Sequence, residues 1–206
     1  VNGIAVRASH TATFIADKPG LYTLAGPDHA GSISVHELGV GAPAFDGALL
    51  SLADFVGALQ PRQRDTHKGS HGSLTIIGGA HGMCGAALLA ARASLHLGAG
   101  RVFVGLLATN RPAVDAGQPE LMLRAPADAL DHATAVVAGP GMGLADEAIG
   151  LMRRLTSADL PTLFDADALT LLGAHPVLTA HVGRRIAPTV LTPHPGEAAR
   201  LLGIDI

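Results

Sequence analysis

The sequence predicts an α/β fold built on a mostly parallel sheet with helices on both faces. Two observations lead there. Most strand-like segments are unbroken apolar runs, as expected of strands covered on both sides. Helical segments separate them, which is the rhythm of βαβ units. Four strand-like segments then run into loops rich in Gly, Asp or His-Pro-Gly. A parallel sheet gathers such loops beyond the carboxyl ends of its strands.

The elements follow in order. Residues 11–16 (Thr-Ala-Thr-Phe-Ile-Ala) suit a strand, and Lys18-Pro19-Gly20 makes a turn. Ser32 to Leu38 alternates and reads as a second strand, broken by Gly39 to Pro43. With no helix read between them, the two strands look like the trailing edge of a larger domain. Residues 46–60 are expected to form a helix, and Pro61 to Asp65 a linker. Leu74 to Ile77 is a short buried-type strand ending at Gly78-Gly79. Ala86 to Leu97 has helical composition, with Gly98 where a C-cap belongs. Val102 to Leu107 is a strand, Asp128 to His132 a short helix, and Ala135 to Ala138 a strand. Asp146 to Leu155 is a helix with Arg153 and Arg154 in its last turn, favourable for the helix dipole. Thr162 to Phe164 and Thr189 to Leu191 are strands, and a further helix begins after Glu197.

A length of 206 residues allows one or two domains. Chains near this size bury roughly 70% of their unfolded surface. The composition, 48% hydrophobic and 15% charged, excludes intrinsic disorder. A net charge of −3 gives no basic field for nucleic acid, and 3% aromatics with no Trp leaves few stacking platforms. No apolar run reaches the ~18 residues of a membrane span. The start at Val1-Asn2-Gly3 has no signal-peptide pattern, and the lone Cys84 fits a reducing interior. The expectation is a cytoplasmic protein without nucleic-acid or membrane partners. Opening without Met, the chain reads as a fragment or a processed chain.

Four loops carry the candidate chemistry. Gly78-Gly79-Ala80-His81-Gly82-Met83-Cys84-Gly85 has four glycines before a helix, a pattern that brings backbone N–H groups and a helix N-terminus to an anion. A tightly packed turn explains it equally well. The spacing is not G-x-G-x-x-G, and with Lys18 and Lys68 the only lysines there is no P-loop. Gly139-Pro140-Gly141-Met142-Gly143 leaves a buried strand as a tight loop with N–H groups to offer. Asp165 and Asp167 close a strand. Ribose binding, Mg²⁺ through water, and helix capping are all open to them. His194 is held rigidly between two prolines at a strand end, which favours a ligand role, while Glu197 suits the first helical turn on electrostatic grounds alone.

Further motifs accompany these loops: His67-Lys68-Gly69, Ile76-Ile77-Gly78-Gly79 with Gly85-Ala86-Ala87, Gly98-Ala99-Gly100 and Pro119-Glu120-Leu121-Met122. After them come Ala138 to Gly143, Asp165-Ala166-Asp167-Ala168-Leu169 and Leu191-Thr192-Pro193-His194-Pro195-Gly196-Glu197. In this order they resemble the ADP/ATP-dependent NAD(P)H-hydrate dehydratases, which have a ribokinase-like fold. Ala8 to Phe14, Lys18-Pro19-Gly20-Leu21 and Gly31 to Gly39 resemble the last strands of the Rossmann-like NAD(P)H-hydrate epimerase domain that precedes the dehydratase in bifunctional bacterial proteins.

The resemblance implies residues 1–45 as an epimerase remnant, 46–65 as a linker with a connecting helix, and 66–206 as about two-thirds of a dehydratase domain, its sheet incomplete. The implied reaction repairs hydrated NADH or NADPH. The 6-hydroxyl is phosphorylated from ADP (or ATP) with Mg²⁺, and phosphate then leaves. K⁺ is implied for the epimerase half, and a homo-oligomer for the complete protein. Substrate contacts are implied at Ala86, Gly139, Gly141, Gly143 and His194, with Asp165, Asp167 and Glu197 in support. No metal ligand is assigned.

The chain also departs from the family. The family's late Gly-x-Gly-Asp supplies the catalytic base and the anion hole, yet no Gly-Asp dipeptide occurs here. That places the catalytic Asp and the ADP site beyond Ile206. The chain as given is therefore expected to hold part of the substrate site without catalysing, and to expose an apolar sheet edge that promotes self-association. Ser9 stands where the epimerase resemblance implies Asp. A ribokinase-like kinase of a small alcohol, such as a thiazole or pyrimidine precursor, and a non-catalytic nucleotide-binding module are the competing readings.

Overall fold

The computed structural model describes residues 4–41 and 47–205. They fall into two compact units that divide between Arg62 and Gln63.

The first unit holds β1 (His10–Phe14), α1 (Pro19–Tyr22), α2 (Gly26–Ala30) and β2 (Ser32–His36). The strands pair in parallel, from His10 opposite Ser32 to Phe14 opposite His36. Two helical turns lie between them, where the sequence reading saw none, and the expected turn at Lys18-Pro19-Gly20 is the start of α1. Parallel strands need a crossover, and α1 and α2 supply it. Each has Pro at its first or second position, where a missing N–H costs nothing. At four and five residues they are too short to print a 3.6-residue period. Both strands end sooner than read: Ile15 and Leu38 have φ of 73° and 55°, which breaks an extended chain. The helix expected over 46–60 is also absent. Position 46 lies outside the described residues, and the remainder forms one 3₁₀ turn, Leu52–Phe55, capped reciprocally by Ser51 and Asp54.

The second unit is a six-stranded parallel sheet. Its strands are β3 (Ser73–Gly78), β4 (Arg101–Leu106), β5 (Met122–Arg124), β6 (Ala135–Ala138), β7 (Thr162–Phe164) and β8 (Thr189–Leu191). The spatial order is β5-β4-β3-β6-β7-β8, with every neighbouring pair parallel. Counted within the unit, this is the doubly wound order 3-2-1-4-5-6, which reverses direction between β3 and β6. The helices are α3 (Cys84–His96), α4 (Pro126–Leu130), α5 (Asp146–Ser157), α6 (Asp167–Ala174), α7 (Pro176–Val182) and α8 (Pro195–Leu202). The sequence reading missed β5, α6 and α7.

Side chains alternate across the sheet, so Ile76 and Ile77 enter different cores. Ile76, Val102, Val104 and Leu106 meet Ala87 and Ala91 of α3. Ile77, Val136 and Phe164 meet Met152 and Leu155 of α5 and Leu169 and Leu172 of α6. Each such large side chain contributes about 1.5–3 kcal/mol by leaving water. The opposed cores follow from the topology. The chain winds from β3 to β4 over one face and from β5 back through β6, β7 and β8 over the other. In doubly wound sheets ligands bind where the two directions part. At the β8 edge, Val190 and Leu191 are 52% and 40% exposed. Among the described residues no helix is long and apolar enough to cross a membrane.

Candidate functional site

The loops leaving β3 and β6 are sewn together at the switch point. Gly79 N–H donates to Pro140 O at 3.0 Å, Ala80 N–H to Gly141 O at 2.6 Å, and Gly139 N–H to Ile77 O at 3.0 Å. Two glycines make this closeness feasible. A Cβ on Gly139, whose φ is +123°, would lie 1.7 Å from Asp165 O. A Cβ on Gly141, φ +58°, would lie 2.8 Å from both Met83 Cβ and Met83 O, and 3.2 Å from Ala86 Cβ. Gly141 and Ala86 thus pack together where the β3 and β6 loops meet. The expected anion cradle is less open than the glycine count implies. Met142 N–H is used by Gly139 O, Met83 N–H by Ala80 O and Ala86 N–H by Met83 O. The N–H groups of Gly82, Gly85 and Gly141 remain as donors beside the shape and close approach of the loops.

The two aspartates act as staples. Asp165 N–H continues the sheet to Ala138 O at 3.0 Å, and its Oδ1 accepts from Thr192 Oγ1 at 2.9 Å, joining the β7 and β8 exits. Asp167 Oδ2 accepts from Gly143 N–H at 2.8 Å and so fixes the end of the glycine loop. It sits in the first turn of α6 without capping that helix, whose N-cap is Ala166. Ala166 has φ +49° and ψ −118°, a conformation that costs a residue with a Cβ of order 1–3 kcal/mol. The strand must turn sharply into α6 there, and the bonds of Asp165 and Asp167 hold it.

His194 is the N-cap of α8. Its Nδ1 accepts from Gly196 N–H at 3.0 Å and Glu197 N–H at 3.4 Å, while Glu197 Oε2 accepts from His194 N–H at 3.0 Å. This is a capping box with imidazole in the place of a hydroxyl. Nε2 lies 3.3 Å from Glu197 Oε1. With Nδ1 accepting, a neutral ring carries its proton on Nε2, the nitrogen that faces the Glu197 carboxylate. Nδ1 is committed to the cap. What His194 presents is a ring 68% exposed, suited to contact with a flat ligand. Glu197, buried, holds that ring in place. His194 stands on the β8 exit, two strand spacings or roughly 10 Å from the β6 exit.

The structure adds a fifth loop. The segment after β4 joins the rim through Ala108 N–H to Gly79 O at 3.0 Å and through His81 Nδ1 and Asn110 Oδ1 at 3.3 Å. Farther on, Arg92 of α3 grips Asp115 with two bonds of 2.8 and 2.6 Å, and Asp115 also takes Gly117 N–H. The Arg92 hydrogen bonds hold the Asp115 carboxyl below its usual range, and Asp115 in turn raises the guanidinium. The signal missed in the sequence was Thr109-Asn110-Arg111-Pro112, a polar break after an apolar strand like the loops that were singled out. Thr192 was also overlooked. Cys84 Sγ lies 3.6 Å from Gly79 O, a packing role. A cavity of about 400 Å³ lined by Thr156, Asp159, His181, Arg184 and Arg185 shares no residue with this rim. Its Arg185 grips Thr162 and Thr189, which begin β7 and β8, so it lies at the opposite end of those strands. Among the described residues no three His, Cys, Asp or Glu side chains converge as a metal site.

Comparison with known proteins agrees with this geometry. A family model described as NAD(P)H-hydrate dehydratase matches residues 74–206. The chain is 42% identical, over its whole length, to the bifunctional NAD(P)H-hydrate repair enzyme Nnr of Coxiella burnetii, and spans 43% of that protein. It is 40% identical to the ADP-dependent (S)-NAD(P)H-hydrate dehydratase of Neisseria meningitidis, over 74% of this chain and 53% of that one. Among solved structures it resembles the ADP/ATP-dependent NAD(P)H-hydrate dehydratase of Bacillus subtilis co-crystallised with ATP and Mg²⁺. There the TM-score is 0.56 at 27% identity, covering 70% of this chain and 52% of that one. A ribokinase-like superfamily protein of Enterococcus faecalis matches with a TM-score of 0.56 at 25% identity, over 68% and 51% of the two chains. The parallel α/β sheet is thus ribokinase-like, and the chain belongs to the NAD(P)H-hydrate dehydratase family.

Proposed function

We propose that the chain carries the substrate-holding part of an ADP-dependent NAD(P)H-hydrate dehydratase, which restores NADH or NADPH from the hydrated forms. The observation that supports it most is the meeting of Ala86 with Gly141 at the β3/β6 switch point, in a chain of this family. In this reading the hydrated ring lies against Ala86, Gly139, Gly141 and Gly143, with the His194 ring closing the far side. Asp165, Asp167 and Glu197 hold the loops.

The chemistry needs a better leaving group than hydroxide. Transfer of a phosphoryl group from ADP to the 6-hydroxyl supplies one, and loss of phosphate then regenerates the double bond. Phosphoryl transfer depends on positioning and charge neutralisation. The described residues provide the positioning. They offer no three-carboxylate cage, so Mg²⁺ would arrive on the phosphates of the nucleotide, as that ion often does. The base for the hydroxyl is not assigned to any residue of this chain.

The proposal extends to residues 1–45 as the end of an epimerase domain, 46–65 as the connection and 66–206 as dehydratase. In the first unit the Lys18 ammonium is held by Thr13 Oγ1, Phe14 O and Ala16 O, so those oxygens are not assigned to K⁺. Leu89 on α3 and Leu97 at its C-cap, both exposed, support a homo-oligomer. A cytoplasmic location follows from the substrates proposed. The test is to incubate the full-length protein with hydrated NADH and ADP and follow recovery of nicotinamide absorbance. ADP-dependent recovery is expected. Phosphorylation of a small alcohol with no recovery would favour the kinase reading instead.

A further inference from the structure

We propose that Arg111 binds the phosphates of the substrate dinucleotide and thereby sets which way round it lies in the crevice. This rests on the dehydratase reading above. The proposed substrate has an uncharged hydrated ring at one end and an anionic pyrophosphate beyond it, with a further phosphate in the NADPH form. Those anions need a partner. The glycine loops contain no lysine or arginine, and the N–H groups of Gly79, Ala80, Gly139, Met142 and Gly143 are already bonded inside the protein, so whatever donors they keep, such as Gly82, Gly85 and Gly141, bring no full positive charge. The rim from β7 to β8 is worse, since Asp165, Asp167 and Glu197 make it repel phosphate. The anionic end is therefore directed to the other side of the switch point, over the exit of β4.

That exit carries Arg111. Its neighbour Asn110 is tethered to His81 of the glycine loop at 3.3 Å. Farther along, the segment is pinned by the Arg92–Asp115 pair. Arg92 is committed to that pair. Arg111 is exposed and, among the described residues, makes no hydrogen bond or ion pair. A guanidinium on a segment fixed on both sides, one residue from the glycine loop's own partner, suits bidentate recognition of phosphate. The dinucleotide then runs along the rim, phosphates near β4 and hydrated ring between β6 and β8.

The experiment titrates the full-length protein and its Arg111→Ala and Arg111→Lys variants by calorimetry. The ligands are hydrated NADH, hydrated NADPH, the hydrated nicotinamide riboside and ADP. Arg111→Ala is expected to weaken both hydrated dinucleotides about tenfold or more, with a shallower salt dependence. Arg111→Lys should lose less, and the phosphate-free riboside and ADP should bind as before. A loss confined to hydrated NADPH would support the assignment with the 2′-phosphate as its contact. Unchanged binding of both dinucleotides would overturn it while leaving the dehydratase reading intact. A loss for ADP alone would overturn it by moving Arg111 to the phosphate donor. If the unaltered protein binds neither hydrated dinucleotide, the reading and this inference fall together.

Discussion

Replacing Gly139 with Ala puts a methyl group where the β6 and β7 exits touch. The new Cβ would lie 1.7 Å from Asp165 O and 2.9 Å from Ala168 Cβ. Ordinary contact requires more than 3 Å, and the obstacle is backbone rather than a mobile side-chain tip. A φ of +123° adds strain, of order 1–3 kcal/mol for a residue with a Cβ. Moving Asp165 O aside disturbs the bonds from Asp165 N–H to Ala138 O and from Ala168 N–H to Asp165 O, worth about 0.5–1.5 kcal/mol each. The total is about 2–6 kcal/mol. At about 2–4 °C per kcal/mol for this size, the melting temperature should fall by roughly 5–20 °C. Gly150→Ala is the control: it lies in α5 with nothing within 4 Å of the added Cβ. Helix propensity alone should raise its stability by about 0.5–1 kcal/mol. Thermal and urea melts of both variants decide the matter. If Gly139→Ala melts with the unaltered protein, the close approach that builds the crevice is wrong.

Three further outcomes are expected. His194→Ala should lose about 1 kcal/mol of cap energy. It should also weaken hydrated NADH binding more than ADP binding, whereas His194→Asn should keep the cap and still lose the ring contact; equal losses for both ligands in calorimetry would argue against a ring contact. Asp115 has its carboxyl held low by the Arg92 hydrogen bonds, then by the Gly117 and Gln118 amides. Its contribution is therefore full above about pH 4 and disappears as pH falls through the lowered value. Asp115→Asn should melt lower at neutral pH and lose less on acidification, and parallel acid profiles would contradict the pairing. Arg185 donates to Leu155 O, Ala158 O, Leu160 O, Thr162 Oγ1 and Thr189 Oγ1, and burial pushes its guanidinium below the usual value. Arg185→Met should cost about 3–5 kcal/mol by leaving those groups unpaired, read as a shifted urea midpoint; a loss under about 1 kcal/mol would refute that role.

The parallel sheet was legible because its strands are apolar on both faces. Val102 to Leu107 and Ala135 to Ala138 have no polar position to confuse the reading. The short α1 and α2 were not legible, because Pro19 and Pro27 look like turn residues until the chain is seen to use them as helix starts. Within the site, the loops at Gly139 and His194 were found from residue type and place. The sequence could not show how their hydrogen bonds are used. Gly143 looked like a donor for a ligand and donates to Asp167. His194 read as a rigidly presented ligand contact and is also a helix cap. Arg111 escaped notice because an arginine in a polar loop looks ordinary until Asn110 is seen beside His81.

The most direct measurement is hydrogen exchange on the protein with and without hydrated NADH. The rim from β3 to β8 predicts slowed exchange at residues 79–86, 139–143 and 192–197 together. Protection confined to the Arg185 cavity, or none while hydrated NADH is bound, would contradict a dinucleotide crevice at the switch point.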